Sequence, residues 1–133
     1  WHHISKKNLF YIGYGGNGNQ VRDVLHIDDL CNLINLQINN FKNIYNKTFT
    51  VGGSKTSYTS LKNLTEICEK VTGNKIKFKR KSKTSIYDIP YYITDNKKIK
   101  KTYKWIPKKN MDEIVKDTYN WLSKNKIQLS KFF

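Results

Sequence analysis

No window of this 133-residue sequence holds enough uninterrupted apolar residues to cross a bilayer, and no secretory leader pattern opens it. A cytoplasmic location is the expectation. Cysteine is scarce. Cys31 and Cys68 lie far apart, each on the apolar side of an expected helix, and read as reduced core residues with neither a disulfide nor a metal. His2 and His3 lack the further ligands a metal site needs. They read as part of a disordered or truncated end, residues 1–7, and a start at Trp1 without methionine suggests a fragment or trimmed product. Acidic residues are few, 10 against 25 lysines and arginines, for a formal charge of +15. That excess opens two readings, nucleic acid or an anionic surface on one hand and small phosphorylated ligands on the other. The basic residues are spread along the whole length, so most read as solvated. The apolar and aromatic fractions, 38% and 14%, fit one globular domain and exclude a disordered chain.

Residues 8–13 read as a short strand. Gly13-Tyr14-Gly15-Gly16-Asn17-Gly18 follows and contains G-x-G-x-x-G letter for letter. A dinucleotide loop needs a helix directly after it, so that the helix N-terminus meets the pyrophosphate. Here the glycines lead into the strand-like Val21-Arg22-Asp23-Val24-Leu25, and Asn17-Gly18 reads as a turn between two extended segments. Asp28 and Asp29 open a helix over 28–42, with Leu30, Cys31, Ile34, Ile38 and Phe41 at helical spacing. Lys47–Val51 reads as a buried strand ended by Gly52-Gly53, expected to pair with a sheet whose other strands lie outside this chain. A polar loop follows to Ser60, the expected N-cap of a helix over 61–72 that stops at Gly73-Asn74. In 75–80, lysines alternate with Ile76 and Phe78, a strand with one wet face. Residues 84–95 read as irregular around Pro90. Thr94 or Asp95 is placed to cap a helix near 96–103. Asn110 and Glu113 form a capping-box pattern at the start of the last helix, with Met111, Ile114, Val115, Tyr119 and Leu122 on one face. A loose tail closes the chain. The fold class is mixed α/β, short strands with about four helices.

Gln20–Leu30 is the most densely specified segment. Arg22, near a strand-to-helix junction, is suited to clamping a phosphate or carboxylate with its planar, five-donor fork. On the residues alone, a structural salt bridge to Asp23 or Asp28 is an equal alternative. Asp23 reads as structural, because its carboxylate repels a pyrophosphate. His26 reads as a packed residue hydrogen-bonded near the helix start, with no catalytic part.

The run Gly13–Leu30 resembles the C-terminal half of the extended short-chain dehydrogenase/reductases, the NAD-dependent epimerase/dehydratase family. Phe49-Thr50-Val51-Gly52-Gly53, the helix start at Ser60-Leu61, Tyr91–Asp95 and Lys104–Pro107 extend the resemblance from about Leu9 to Lys126. Gly-x-Gly-x-Gln-Val-Arg-Asp-Val-Leu-His is typical of the CDP-tyvelose (CDP-paratose) 2-epimerases. The resemblance implies a Rossmann-type protein whose N-terminal half, absent here, binds NAD and carries the catalytic Tyr-x-x-x-Lys set. Residues 8–127 are then the nucleotide-sugar-binding part, inactive alone, with a CDP-hexose as ligand, the catalytic half as partner, and a homodimer for the full-length enzyme.

The same resemblance implies site roles. Arg22 matches the arginine that contacts the pyrophosphate. Tyr14 and Gln20 fall where the base and ribose are held. Many relatives carry Arg-x-Gly-Asp ahead of Tyr-Tyr-Ile-Thr-Asp, a second phosphate clamp, where this chain has Ser85-Ile86-Tyr87-Asp88. Lys83 or Arg80 stands nearby as a substitute cation, and Asp88 is kept to brace the loop. No catalytic, cofactor-binding or metal residue is assigned. The alternative is a basic module for nucleic acid or another polyanion without enzymatic activity, for which Phe78 among Lys75, Lys77 and Lys79 is the sign.

Overall fold

The computed structural model describes residues 1–41 and 46–132, and it builds two small sheets rather than one. In chain order the elements are α1 (His2–Ser5), β1 (Leu9–Ile12), β2 (Val21–Asp23), α2 (Ile27–Asn39), β3 (Tyr58–Ser60), α3 (Leu61–Thr72), β4 (Phe78–Lys81), α4 (Lys97–Tyr103), α5 (Met111–Lys124) and α6 (Lys126–Leu129). The class is mixed α/β, as expected, with two short terminal helices beyond the four anticipated. None of the described helices is long and apolar enough to cross a membrane.

β1 and β4 pair in parallel, Leu9 opposite Phe78 and Ile12 opposite Lys81. Tyr11 anchors this sheet to α3. Its ring stacks on Phe78 at 4.6 Å between centroids, and its hydroxyl donates to Thr65 Oγ1 at 2.7 Å. The opposite face carries Phe10, with Lys81 Nζ 4.8 Å from the ring centroid. All four residues of β4 are exposed, so this strand is wetter than its alternating pattern suggested.

β2 pairs antiparallel with β3, Val21 opposite Ser60 and Asp23 opposite Tyr58, and a single parallel bridge joins Val21 to Tyr91. The extended segments flanking the glycines thus belong to different sheets. Gly13, Tyr14, Gly15 and Gly16 all have positive φ, a left-handed run that carries the chain away from β1.

The main core is Leu33 of α2, Ile99 of α4 and Trp105, with Leu25, Phe49, Val51 and Tyr103 packed against it. A second layer brings Met111 and Ile114 of α5 against α3. Between them and α1 lies an apolar cleft of about 230 Å³ whose lining includes Ile4, Leu64, Cys68, Val115 and Leu122.

Helix ends follow the capping chemistry closely. Ser60 Oγ accepts from the Asn63 amide, and Gly73 closes α3 in the left-handed region. Asn110 and Glu113 form a reciprocal capping box on α5. At α4, Asp95 Oδ1 takes the Lys97 N–H at 2.8 Å. The cap position itself is Asn96, whose amide is committed elsewhere, accepting from the Gly52 N–H and donating to the Gly52 carbonyl.

Several expectations need correction. Lys47–Val51 forms no strand; Thr48, Thr50 and Gly52 are served by Lys98, Asp95 and Asn96 instead of a neighbouring ladder. Tyr58–Ser60, expected as loop, is a strand because β2 lies beside it. α2 runs Ile27–Asn39, and residue 42, expected as its end, lies outside the described residues. Cys31 is exposed rather than in the core, while Cys68 is half-buried and desolvation pushes its thiol pKa up. Residues 2–5 are an ordered helical turn rather than disordered, and His3 is buried with its Nδ1 2.9 Å from the Asn74 carbonyl. α6 reaches only the first residues of the expected tail, and residues 130–132 form a turn.

Gly52 is fixed by close approach. A Cβ there would collide with Thr94 Oγ1 and Asp23 Oδ2. Gly52→Ala is expected to destabilise the chain by about 1–3 kcal/mol through overpacking, read as a shift in the urea midpoint.

Candidate functional site

β2 carries two neighbouring charged residues with different fates, because successive strand side chains leave on opposite faces. Asp23 turns into the fold. Its Oδ2 accepts from the Ser54 N–H at 2.7 Å, and its Oδ1 accepts from the Thr94 N–H and Oγ1–H, both at 3.2 Å. Arg22 turns outward, with its side chain 40% exposed. Its Nη2 donates to Asp88 Oδ1 at 2.9 Å and its Nη1 to the Val21 carbonyl at 2.7 Å. An ion pair this open contributes about 0–1 kcal/mol, and two of the five guanidinium donors are engaged. The fork is aimed and remains available to an anion.

The partner of Arg22 is therefore Asp88, not Asp23 or Asp28. Asp88 is itself held, since its Oδ1 also accepts the Ile89 N–H at 2.9 Å and its carbonyl accepts the Tyr14 hydroxyl at 2.7 Å. The Tyr14 N–H donates to Thr84 Oγ1 at 2.7 Å. Gln20 is buried, and its Nε2 donates to the Ile12 carbonyl at 2.5 Å. These groups meet at Gly13, where a Cβ would lie 3.3 Å from both Asp88 Oδ2 and Gln20 Nε2. Four of the five residues singled out in the sequence thus share one corner. The fifth, Lys83, is exposed and makes no hydrogen bond or ion pair with the described residues. Thr84 is the participant that sequence reasoning missed; a lone threonine in an irregular stretch carries no signal.

The glycine string Gly13–Gly18 opens onto β2 and not onto a helix. The turn thus lacks the helix N-terminus that a dinucleotide loop presents to the pyrophosphate.

His26 stands at the other end of the segment. It is the N-cap of α2, its Nδ1 accepting from the Asp28 N–H at 3.1 Å, while its Nε2 lies 3.5 Å from Asp117 Oδ2 on α5. Lys109 Nζ donates to the same carboxylate at 2.8 Å, holding Asp117 below the ordinary carboxylate range and raising Lys109 in turn. This cluster ties two helices together and leaves His26 in the structural place expected for it.

The profile of the GDP-mannose 4,6 dehydratase family matches residues 2–118. The chain belongs to that family. Among curated proteins it is similar to the CDP-paratose 2-epimerase of Salmonella typhi, 32% identical over 93 residues that make up 70% of this chain and 27% of that one. By shape it resembles a UDP-glucuronic acid 4-epimerase from Bacillus cereus, solved with UDP-glucuronic acid and NAD, at a TM-score of 0.77 and 18% identity over 92% of this chain and 37% of that chain. It also resembles the UDP-glucose 4-epimerase of Thermotoga maritima, solved with UDP-glucose, at a TM-score of 0.71 and 22% identity over 94% of this chain and 38% of that chain. These are extended short-chain dehydrogenase/reductases, and this member of the GDP-mannose 4,6 dehydratase family spans well under half the length of each. Gln20, Arg22 and Asp88 all fall within the part that the family profile covers.

The cap made by His26 has a measurable consequence for this family member. His26→Ala is expected to cost about 0.5–2 kcal/mol of stability, and His26→Asn, which restores an acceptor at the cap, to recover most of it. Chemical denaturation of the three proteins checks this.

Proposed function

We propose that this chain is the nucleotide-sugar-binding portion of a cytoplasmic NAD-dependent epimerase, that it holds the diphosphate of a CDP-hexose, and that it is inactive alone. The observation that carries the reading is the Arg22 fork, half-exposed and aimed by Asp88, beside Tyr14 and Gln20 on the segment most typical of the family. A guanidinium held this way suits the two oxygens of a phosphate. Tyr14 offers a ring to a pyrimidine, and Lys83 supplies a mobile positive charge close to Ser85. NAD and its hydride chemistry belong to the remainder of a longer protein, which forms a homodimer.

Exposed apolar residues around the corner support that division of labour. Ile86 and Tyr87 are almost fully exposed, and Tyr58, Tyr91 and Tyr92 are about half exposed, on the strands and loop that frame Arg22. A surface of this kind is what a covering domain or a bound ligand buries.

Calorimetry with CDP against this chain tests the proposal. Arg22→Ala is expected to weaken binding by about tenfold or more, the loss of a charge-assisted contact, whereas Lys83→Ala is expected to weaken it less. Tight binding of single-stranded DNA with a steep salt dependence, and none of CDP, would favour the polyanion module and overturn the proposal.

A further inference from the structure

β4 is paired on one side only. Its neighbour is β1, in parallel, and the Leu9 and Gly13 N–H groups donate to the carbonyls of Lys77 and Lys81 at 3.1 and 2.8 Å. In such a ladder alternate residues turn both backbone groups to the partner strand. Lys79 falls between Lys77 and Lys81 and turns toward β1, so Phe78 and Arg80 present their N–H and C=O outward. Among the described residues nothing pairs with the backbone of either one. All four residues of β4 are exposed. The opposite margin of the sheet is better closed, since Gln20 Nε2 donates to the Ile12 carbonyl on β1. An open edge of this kind is a template to which an extended chain adds a strand.

Charge says which chain. Lys75, Lys77, Lys79, Arg80, Lys81 and Lys83 stand along this edge, and no acidic residue lies between Glu69 and Asp88. None of these cations forms an ion pair with the described residues. Like charges opposed across paired strands are destabilising, so the edge refuses a copy of itself. The adjacent acidic pairs of the chain, Asp28-Asp29 and Asp112-Glu113, are held in the first turns of helices, so a second copy supplies no acidic run to lay here. We propose that the outer edge of β4 binds an extended acidic segment of a different protein, which adds a third strand to the β1–β4 sheet.

The two faces of the sheet set the pattern of that segment. Lys79 and Lys81 lie on the face that carries Phe10, with their Nζ atoms 6.0 and 4.8 Å from its ring centroid. Carboxylates on alternate residues of the incoming strand meet them there. On the other face Phe78 lines an open groove of about 680 Å³, bordered also by Glu66 and Glu69 of α3. The intervening residues are therefore apolar and not acidic. Single-stranded nucleic acid carries the right charge but offers no ladder of alternating donors and acceptors to match the edge.

Calorimetry on the chain with a short blocked peptide alternating glutamate and valine tests the proposal. The controls are the same peptide N-methylated throughout and its lysine–valine counterpart. The acidic peptide is expected to bind saturably and more weakly as salt rises, and neither control to bind. Arg80→Ala removes a charge but keeps the outward N–H, and is expected to weaken binding by about threefold. Arg80→Pro removes the N–H as well, at an edge position where proline is tolerated, and is expected to weaken it by at least about tenfold. With peptide bound, amide hydrogen exchange is expected to slow at Phe78 and Arg80 and to change little at Lys79 and Lys81, which already belong to the ladder. Should Arg80→Pro fail to fold, the exchange pattern of the unmodified chain decides. Equal binding of the N-methylated peptide would reduce the contact to charge alone and overturn the added strand. Oligothymidylate that protects the same two amides and displaces the peptide would assign the edge to nucleic acid and likewise overturn it. Protection of those amides by self-association of the chain would give the edge to a second copy instead. Absence of saturable peptide binding by about 1 mM would leave no specific contact to explain and overturn it too.

Discussion

The Asp23 carboxylate takes hydrogen bonds from two segments far from it in sequence, Ser54 and Thr94. Each reaches it through a backbone N–H. Charged acceptors make the stronger class of hydrogen bond, about 1.5–3 kcal/mol net each, and here they bind together β2, the Gly52-Gly53 turn and the approach to α4. That anchor joins the bonds from Asp95, Asn96 and Lys98 in fixing the loop that carries Phe49 and Val51 over Leu33, Ile99 and Trp105. Gly52 is glycine because the carboxylate sits where a methyl group would be. Asp29 does similar service further along, its Oδ2 accepting the N–H groups of Lys108 and Lys109 and seating the chain between α4 and α5. Two carboxylates, Asp29 buried and Asp23 partly buried, are answered by backbone rather than by lysines and organise a chain that is otherwise strongly basic.

The alternation of a strand also sets how the candidate site is presented. Because Asp23 points inward, Arg22 points outward, and it does so from backbone that Asp23 has immobilised. Asp88 then sets the angle of the guanidinium at little cost to its availability. Tyr14 closes the arrangement from the glycine turn, through the carbonyl of the same Asp88. Neutralising one acidic residue would change where the arginine points, and neutralising the other would change whether its strand holds still.

The helices were legible because their signals are local. Ser60, Gly73, Asn110 and Glu113 act within one turn of themselves, so spacing alone locates them. The sheets were not, because pairing is decided by what lies alongside. Lys47–Val51 has strand composition and no strand beside it, whereas Tyr58–Ser60 has polar composition and β2 for a neighbour. The same division runs through the site. Arg22 as an outward cation beside an inward Asp23 could be read from sequence, since alternation is a local rule. Its partner Asp88 lies 66 residues away, and no pattern within a strand or turn points that far. The exposure of Cys31 was missed for a related reason. It lies at the margin of a helical face whose buried member is Leu33, and periodicity does not fix the width of such a face.

The left-handed turn between Gly13 and Gly16 bears on how this protein can change over evolutionary time. Three of its four residues have no side chain, and Gly16 has the Arg80 backbone packed against it. Tyr14 is then the single position at which the turn can vary what it shows to a ligand, and its φ of 45° admits few replacements, asparagine and aspartate foremost. Diversification among relatives sharing this turn is channelled into one side chain, and a lineage that altered its ligand would record the change there before anywhere else in the turn.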